Sequence, residues 1–443
     1  MKKTPKVLTQ HFEVKEMHTL KVAKKHGRYE CLKKLFSMKP EEVIEEVKAS
    51  GIRGRGGAGF PAGLKWSFVP KDSKKPKYLV VNADESEPGT FKDRALLEKD
   101  PHMLLEGIII AAYAIGANRA YVYFRGEFAA QYDLFWNAIE EAKKAKLLGD
   151  DVDGSGFKLE VVAHRGAGAY ICGEETALLS SLEGYRGQPR IKPPFPAVEG
   201  LWASPTVVNN VETIAALPWI LNNGAKAYAA MGTEKSPSTK LFSVCGHVEK
   251  PGVYEVELGT PFKDLLAMCG GVWKGRNLKA VVMGGSSVPV VTAEEAMNAK
   301  LDYESLQQAG TLLGSGGMII FDDSICAVEM MTDIARFYNH ESCGQCTPCR
   351  EGTGWVKKIC DRIEKGDGRD GDLELLLSQA NNMSGRTICT FADALAMPVR
   401  SWIAKFRHEF EEHIKLGYCP HKMKTPTWQP PKVVREVQPE KGN

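Results

Sequence analysis

The sequence lacks any hydrophobic run long enough to cross a bilayer. Its most apolar stretch, Ile108 to Ile115 with its neighbours, is bounded by Glu106 and Arg119 and reads as a buried helix. The basic start MKKTPKVLTQ leads into no apolar segment, so no signal peptide is read there. Charge of one sign is also scarce: the formal net charge is +3 over 443 residues, with no basic stripe interleaved with aromatics. Nucleic acid is therefore a poor candidate partner. There are no internal repeats, no evident acid–base triad, and no C-x₂-C-x₂-C-x₃-C-P run of the two-cluster ferredoxin kind.

What is present is glycine and cysteine. The 43 glycines sit largely in dense short runs, as where backbone wraps closely round a ligand. Eleven cysteines without an export signal argue for a metal or cluster site rather than a disulfide framework. With 43% hydrophobic and 26% charged residues, the chain has a globular composition and is long enough for roughly two or three cores.

Residues 1–30 read as an irregular, basic lead-in, after which periodicity divides the chain. SMKPEEVIEEVKASG (Ser37–Gly51) reads as a helix with a serine cap. Strands are expected at Tyr78–Val81, Arg119–Arg125 and Phe157–Ala163, alternating with helices at Pro101–Gly116, Glu127–Leu147 and Glu174–Leu182. Such alternation argues for an α/β domain with a central sheet. Beyond Pro218, short strands at Leu241–Gly246, Val253–Leu258 and Leu278–Met283 with a helix at Pro261–Met268 suggest a small β-grasp-like module. From Cys326 onward the pattern is helical: Ala327–Asn339, Thr353–Glu364, Asp372–Gln379 and Ala392–Ile414.

GRGGAGFPAGLKW (Gly54–Trp66) contains G-x-G-x-x-G at Gly54, Gly56 and Gly59, but a helix precedes it where the Rossmann fingerprint needs a strand. Its backbone amides can still form an anion-binding nest, with positive charge from Arg53, Arg55 and Lys65. A structural turn cluster is the plainer alternative. NADESEPGTFKDR (Asn82–Arg94) lies at the end of an expected strand, where open α/β sheets bind ligands. Asp84, Glu85 and Glu87 could accept sugar or ribityl hydroxyls there. Their charge would disfavour the extra phosphate of NADPH, whereas a solvated acidic loop is the bland reading. GAGAYICGEETALLSSLEGYRGQPRIKPPFP (Gly166–Pro196) adds Tyr170, Glu174 and Glu175 ahead of an apolar helix, then Lys192 and a Phe195 suited to stacking on a planar base. Asn209 and Asn210 occupy a natural cap position.

The sharpest signal is ESCGQCTPCREG, which places Cys343, Cys346 and Cys349 at strict three-residue spacing. It matches the C-x₂-C-x₂-C part of iron–sulfur runs, whereas zinc sites usually pair two CxxC halves or add histidines. For the fourth ligand, Cys389 on a turn before the last helix is preferred over Cys360, which would lie within a helix. The other seven cysteines read as small buried hydrophobes. A nucleotide cradle beside a cluster implies electron transfer, because hydride chemistry moves two electrons and a cluster takes one; a flavin converts between them.

In combination, GRGGAGFPAGLKW, NADESEPGTFKDR, AYICGEETALLSSLEG, PTVVNNVET and ESCGQCTPCREG resemble the NADH-binding 51 kDa flavoprotein subunits of respiratory complex I, over nearly the whole chain. The resemblance implies an α/β architecture: a Rossmann-like FMN domain (1–235), a small ubiquitin-like β-grasp domain (236–325), a C-terminal helical [4Fe-4S] domain (326–420) and a surface tail (421–443). It implies FMN-side roles for Gly54, Gly56, Gly57, Gly59, Lys65, Asn82, Asp84, Glu85, Tyr170, Glu174, Asn209 and Asn210. Phe60, Phe68, Glu87, Glu175, Lys192 and Phe195 would face NADH, and Cys343, Cys346, Cys349 and Cys389 would hold the cluster. The implied partners are a thioredoxin-like [2Fe-2S] subunit and a large iron–sulfur subunit of the peripheral arm, on the cytoplasmic face of the membrane with quinone as final acceptor. The flavin subunits of NAD-linked hydrogenases and formate dehydrogenases are the alternative of the same chemistry.

Overall fold

The computed structural model describes residues 5–421, so the expected surface tail lies outside the described residues except for position 421. Four strands, β1 (Tyr78–Ala83), β2 (Arg119–Phe124), β3 (Glu160–Arg165) and β4 (Thr206–Asn210), form a wholly parallel sheet in the order β3-β2-β1-β4. Helices cover such a sheet on both faces, which is why β1 reads as a continuous apolar run rather than an alternating one. The helix Pro101–Ile115 between β1 and β2 is capped by Asp100, whose side chain accepts from the Met103 amide at 3.0 Å, and stops at left-handed Gly116. A Cβ at Gly107 would sit 2.1 Å from the Ile214 carbonyl oxygen, so glycine is what lets this helix press on the helix Val211–Ala215.

From β1 the chain adds β2 and β3 outward, then returns to lay β4 on the opposite side of β1. That reversal opens a crevice at the carboxyl ends of β1 and β4, the usual ligand position in open α/β sheets. Asn82 and Asn210 are directly paired across it.

A second sheet holds β5 (Thr239–Gly246), β6 (Gly252–Glu257), β7 (Leu278–Val282), β8 (Val291–Thr292) and β9 (Gly317–Asp322), ordered β6-β5-β9-β7-β8. β5 runs parallel to β9 and every other pair is antiparallel, which is the mixed arrangement of a β-grasp sheet. Sequence periodicity missed β9, although it is the central strand. Both its faces are largely covered, so it carries no alternation to detect.

Four helices, Ala327–Glu341, Thr347–Glu364, Asp372–Met383 and Phe391–Leu416, pack around Trp402, Phe410 and Leu376, each wholly buried. Two local expectations are corrected. Ser37 closes the short helix Leu32–Ser37 instead of capping the next one; that role falls to Glu42, which accepts from the Lys39 amide at 2.7 Å. The lead-in is not irregular throughout. It carries the helix Leu20–Lys25, and the amides of Val7 and Thr9 each donate to Glu255 at 2.8 Å.

Candidate functional site

The glycine loop is closed at its base, where the Gly54 amide donates to the Phe60 carbonyl at 2.8 Å. Gly59 has a φ of +65°, and a Cβ there would lie 2.6 Å from the Tyr303 ring, so only glycine fits. At the tip Gly57 has a φ of +139°, and a Cβ there would meet nothing within 4 Å. Among the described residues, the amides of Gly56, Gly57 and Ala58 donate to no protein acceptor. Unpaired adjacent amides beside open space suit an anionic phosphate.

The charge expected from the loop's arginines goes elsewhere. Arg55 is buried, and its guanidinium donates to the carbonyls of Pro237 and Thr239, each at 3.1 Å. Arg53 pairs with Glu304 at 2.6 Å and lies over the Tyr303 ring. Both tie the loop to the second sheet, whose entering backbone needs donors. Lys65 remains on the crevice side, 2.7 Å from Glu175 and 2.9 Å from the Val208 carbonyl.

Asp84, Glu85 and Glu87 do not form one acidic cluster, because each is committed in a different direction. Asp84 accepts from Ser86 at 2.9 Å, and burial pushes its carboxyl up to about 7. Glu85 accepts from the amides of Asp93 and Arg94 at 2.8 and 2.9 Å, at the start of the helix Lys92–Lys99. Burial and the nearby Asp93 also push Glu85 up to about 7. Glu87 accepts from the Tyr170 hydroxyl at 2.5 Å and the Ser287 amide at 2.8 Å, and burial raises its pKa. Asn82 donates to the Gly173 carbonyl at 2.9 Å. Asn209 accepts from the Trp66 indole at 2.8 Å, and Asn210 caps Val211–Ala215 while donating to Asp93 at 2.7 Å.

Glu174 caps the helix Glu175–Leu182, accepting from the amides of Thr176 and Ala177. Lys192 reaches both Glu174 and Glu175 at 3.2 Å. Burial alone would raise Glu175, but Lys65 and Lys192 outweigh it and hold that carboxyl below its usual value. Phe60, Phe68 and Phe195 are 46%, 50% and 59% exposed, with the first two rings 6.2 Å apart. Three large aromatics left in water beside a charged crevice are available for stacking on a planar group.

Cys343 and Cys346 lie in the connection between the first two C-terminal helices, and Cys349 lies in the first turn of Thr347–Glu364. Cys389 sits just before the helix Phe391–Leu416. The Ile388 amide donates to Cys346 Sγ at 3.4 Å, bringing the Cys389 turn onto the motif. Burial raises the Cys389 thiol to about 11, and Cys349 and Cys343 lie near enough to add to the rise. All four are free thiols. A four-iron cluster would take its four ligands on different irons. Cys360 is wholly buried inside its helix, with Asp361, Arg336 and Asp372 as its charged neighbours.

Sequence reasoning missed a buried charge cluster beneath the crevice. Glu212 lies 2.9 Å from Lys92 and 3.0 Å from Lys240, and Lys92 lies 2.7 Å from Asp93. Burial opposes ionisation of Glu212, yet Lys240, Lys92 and Arg55 together take its carboxyl down to about 2. Burial takes Lys240 down to about 7, because it shares one carboxylate with two other cations. Lys92 keeps a raised pKa against burial because Asp93 and Glu85 also face it. Through Asn210, which also contacts Lys92 at 3.3 Å, this cluster sets the crevice floor. Its only sequence signal was the KD pair inside NADESEPGTFKDR and the glutamate after Asn209-Asn210.

A phosphate-suited glycine nest at the switch point and a four-thiol motif beyond it define an oxidoreductase of the flavoprotein and iron–sulfur class. The family model for the Nuo51 FMN-binding domain matches residues 47–219, that for the SLBB domain residues 241–291, and that for the NADH-ubiquinone oxidoreductase-F iron–sulfur binding region residues 329–413. The chain is 50% identical over 416 residues to the second F subunit of NADH-quinone oxidoreductase from Rhizobium meliloti (strain 1021), covering 94% of this chain and 99% of that one. It is 51% identical over 421 residues to the corresponding F subunit from Mycobacterium bovis, covering 94% of each. The chain belongs to the family of NADH-quinone oxidoreductase F subunits. The fold is also similar to a chain in the crystal structure of an air-oxidised NAD+-reducing [NiFe]-hydrogenase, with a TM-score of 0.78 and 38% identity. That match covers 85% of this chain and 63% of the hydrogenase chain.

Proposed function

We propose that the crevice between the glycine loop and the ends of β1 and β4 holds FMN and admits NADH, and that electrons leave singly through the four-cysteine motif. When bound, FMN supplies the conversion between hydride and single-electron transfer, and a [4Fe-4S] cluster supplies the one-electron acceptor. The observation that carries the reading is Tyr170. Its hydroxyl binds Glu87 at the crevice, while its ring packs on Phe337 at 5.1 Å and Phe391 at 5.8 Å, on the helices that flank the cysteines.

In this reading Gly54, Gly56, Gly57 and Gly59 lay their backbone against the flavin mononucleotide, with Lys65 supplying charge. Asn82, Asp84, Glu85, Tyr170, Glu174, Asn209 and Asn210 complete the FMN side. Phe60, Phe68 and Phe195 grip the adenine end of NADH, and Glu87, Glu175 and Lys192 meet its polar groups. No side chain has to act as general acid or base, because FMN, when bound, would supply the hydride-accepting ring for the nicotinamide. The protein's work is to align the two rings and keep water out. Cys343, Cys346, Cys349 and Cys389 hold the cluster.

We divide the chain at 1–235, 236–325 and 326–420. Family membership implies association with other iron–sulfur subunits of a peripheral arm. The finer proposal is a thioredoxin-like [2Fe-2S] subunit and a large iron–sulfur subunit, at the cytoplasmic face of the membrane. No helix among the described residues is long and apolar enough to cross a membrane. The likeness to the NAD+-reducing hydrogenase chain supports a second reading, a diaphorase subunit with a different electron destination, which neighbouring genes would separate.

The test is anaerobic purification followed by flavin, iron and sulfide assay on one sample, with NADH reduction followed by absorbance and EPR. One FMN and about four irons per chain, reduced by NADH, are expected. Iron without flavin, even after reconstitution with FMN, would overturn the reading of the glycine loop.

A further inference from the structure

Of the seven cysteines outside the cluster motif, two lie together beside a buried histidine. Cys326, His413 and Cys419 are all buried, and a ligand atom of each lies within 4.8 Å of the other two. Cys326 Sγ is 3.3 Å from His413 Nε2. A tetrahedral zinc with Zn–S of about 2.3 Å and Zn–N of about 2.0–2.1 Å separates S and N by about 3.5 Å and two sulfurs by about 3.8 Å. The Cys326–His413 spacing is close to the sulfur–nitrogen value.

The surroundings are those of a ligand set. His413 Nδ1 is 2.7 Å from the Glu409 carbonyl, which can only accept, so Nδ1 carries the proton and the Nε2 lone pair faces the thiols. Cys326 caps the helix Ala327–Glu341, and its sulfur already accepts from the Glu329 amide at 3.4 Å. His421, two residues past Cys419, stacks on His413 with ring centroids 6.5 Å apart and lies 3.4 Å from Glu409. Adjoining His413, it offers a further imidazole for a fourth vertex.

We propose that Cys326, His413, Cys419 and His421 form a structural zinc site, separate from the four-cysteine motif. Two soft sulfur ligands and two imidazoles select zinc over magnesium or calcium. Binding releases the two thiol protons and moves no electrons. Cys326 opens the first helix of the helical region, while Cys419 and His421 follow the turn at left-handed Gly417 that ends the last one. The ion therefore fastens the end of the helical region to its beginning.

The experiment is zinc and iron analysis, by mass spectrometry, of the full chain purified with its FMN and cluster. About one zinc per chain is expected alongside about four irons, falling at least tenfold in the Cys326→Ser/Cys419→Ser variant while iron is kept. Wild-type protein grown with zinc but holding under about a tenth of an equivalent would overturn the proposal, as would zinc unchanged in the variant. Should that variant fail to fold, zinc X-ray absorption on the wild-type chain decides. Mixed sulfur and imidazole scatterers support the site; sulfur alone, or oxygen alone, overturns it.

Discussion

Lys65 and Glu175 meet across the crevice at 2.7 Å, one from the helix after the glycine loop and the other from the helix after β3. Each side chain keeps about a quarter of its exposure, so the pair is shielded from solvent yet open to a ligand. Lys192 approaches the same carboxylate, which leaves the pair linked to both sides of the site.

If Lys65 supplies charge to the flavin phosphate, Lys65→Met should weaken FMN retention roughly ten- to a hundredfold, the scale of one lost charge-assisted hydrogen bond. The melting temperature of the apoprotein should change little, because Lys192 still partners Glu175. Flavin occupancy after gel filtration is the readout. Wild-type occupancy in the variant would remove Lys65 from the FMN side.

We propose that Glu87 discriminates against NADPH by repelling its phosphate. The fold holds it through Tyr170 and Ser287 rather than leaving it free in an acidic loop. Glu87→Gln keeps the shape and removes the charge, so the kcat/KM ratio of NADPH to NADH should rise about tenfold or more. Burial raises this group's pKa, so the discrimination should strengthen as pH rises and the carboxylate ionises. An unchanged ratio at every pH sinks the idea.

Cys389→Ser should abolish the cluster's EPR signal and remove its iron. Cys360→Ser should retain both, at a stability cost of roughly 1–3 kcal/mol for a hydroxyl placed in an apolar helix interior. Cluster loss in the Cys360 variant alone would reverse the assignment of the fourth ligand.

Glu106 accepts from the Tyr29 amide at 2.7 Å and from Cys31 at 3.0 Å, and its Oε2 is buried without a partner among the described residues. Burial pushes its carboxyl up to about 7, above the usual value of about 4.3. The folded state therefore keeps a proton that the unfolded chain has lost. Stability falls as pH rises through that window, and the full cost, at most about 4 kcal/mol, is reached above it. Glu106→Gln imitates the protonated acid, so its melting temperature should exceed the wild type's more at pH 8 than at pH 5. Parallel melting curves across that range would contradict the shift.

Three strands of the parallel sheet and the C-terminal helices were legible because their signals are local, whereas β4 (Thr206–Asn210) was not read as a strand. Pro101 and Gly116 bracket a helix wherever they occur, and an apolar run such as Tyr78–Val81 has few other uses. The cysteine motif was legible for a related reason: C-x₂-C-x₂-C is a spacing that packing alone rarely demands. Candidate residues in the crevice could be named from their motifs, but not the direction each side chain takes.

Those directions belong to the tertiary structure alone. Arg55 turns inward because the carbonyls of Pro237 and Thr239, 182 and 184 positions away, need donors. Glu85 turns to a helix start, whereas Glu87 turns to Tyr170. β9 completes its sheet beside partners distant in the chain. Cys326, His413 and Cys419 meet only because two helix ends coincide. A sequence records which groups are available and how neighbours along the chain fold. Which buried charge faces which, and which thiols converge, follows from desolvation and packing among residues that only the folded chain brings together.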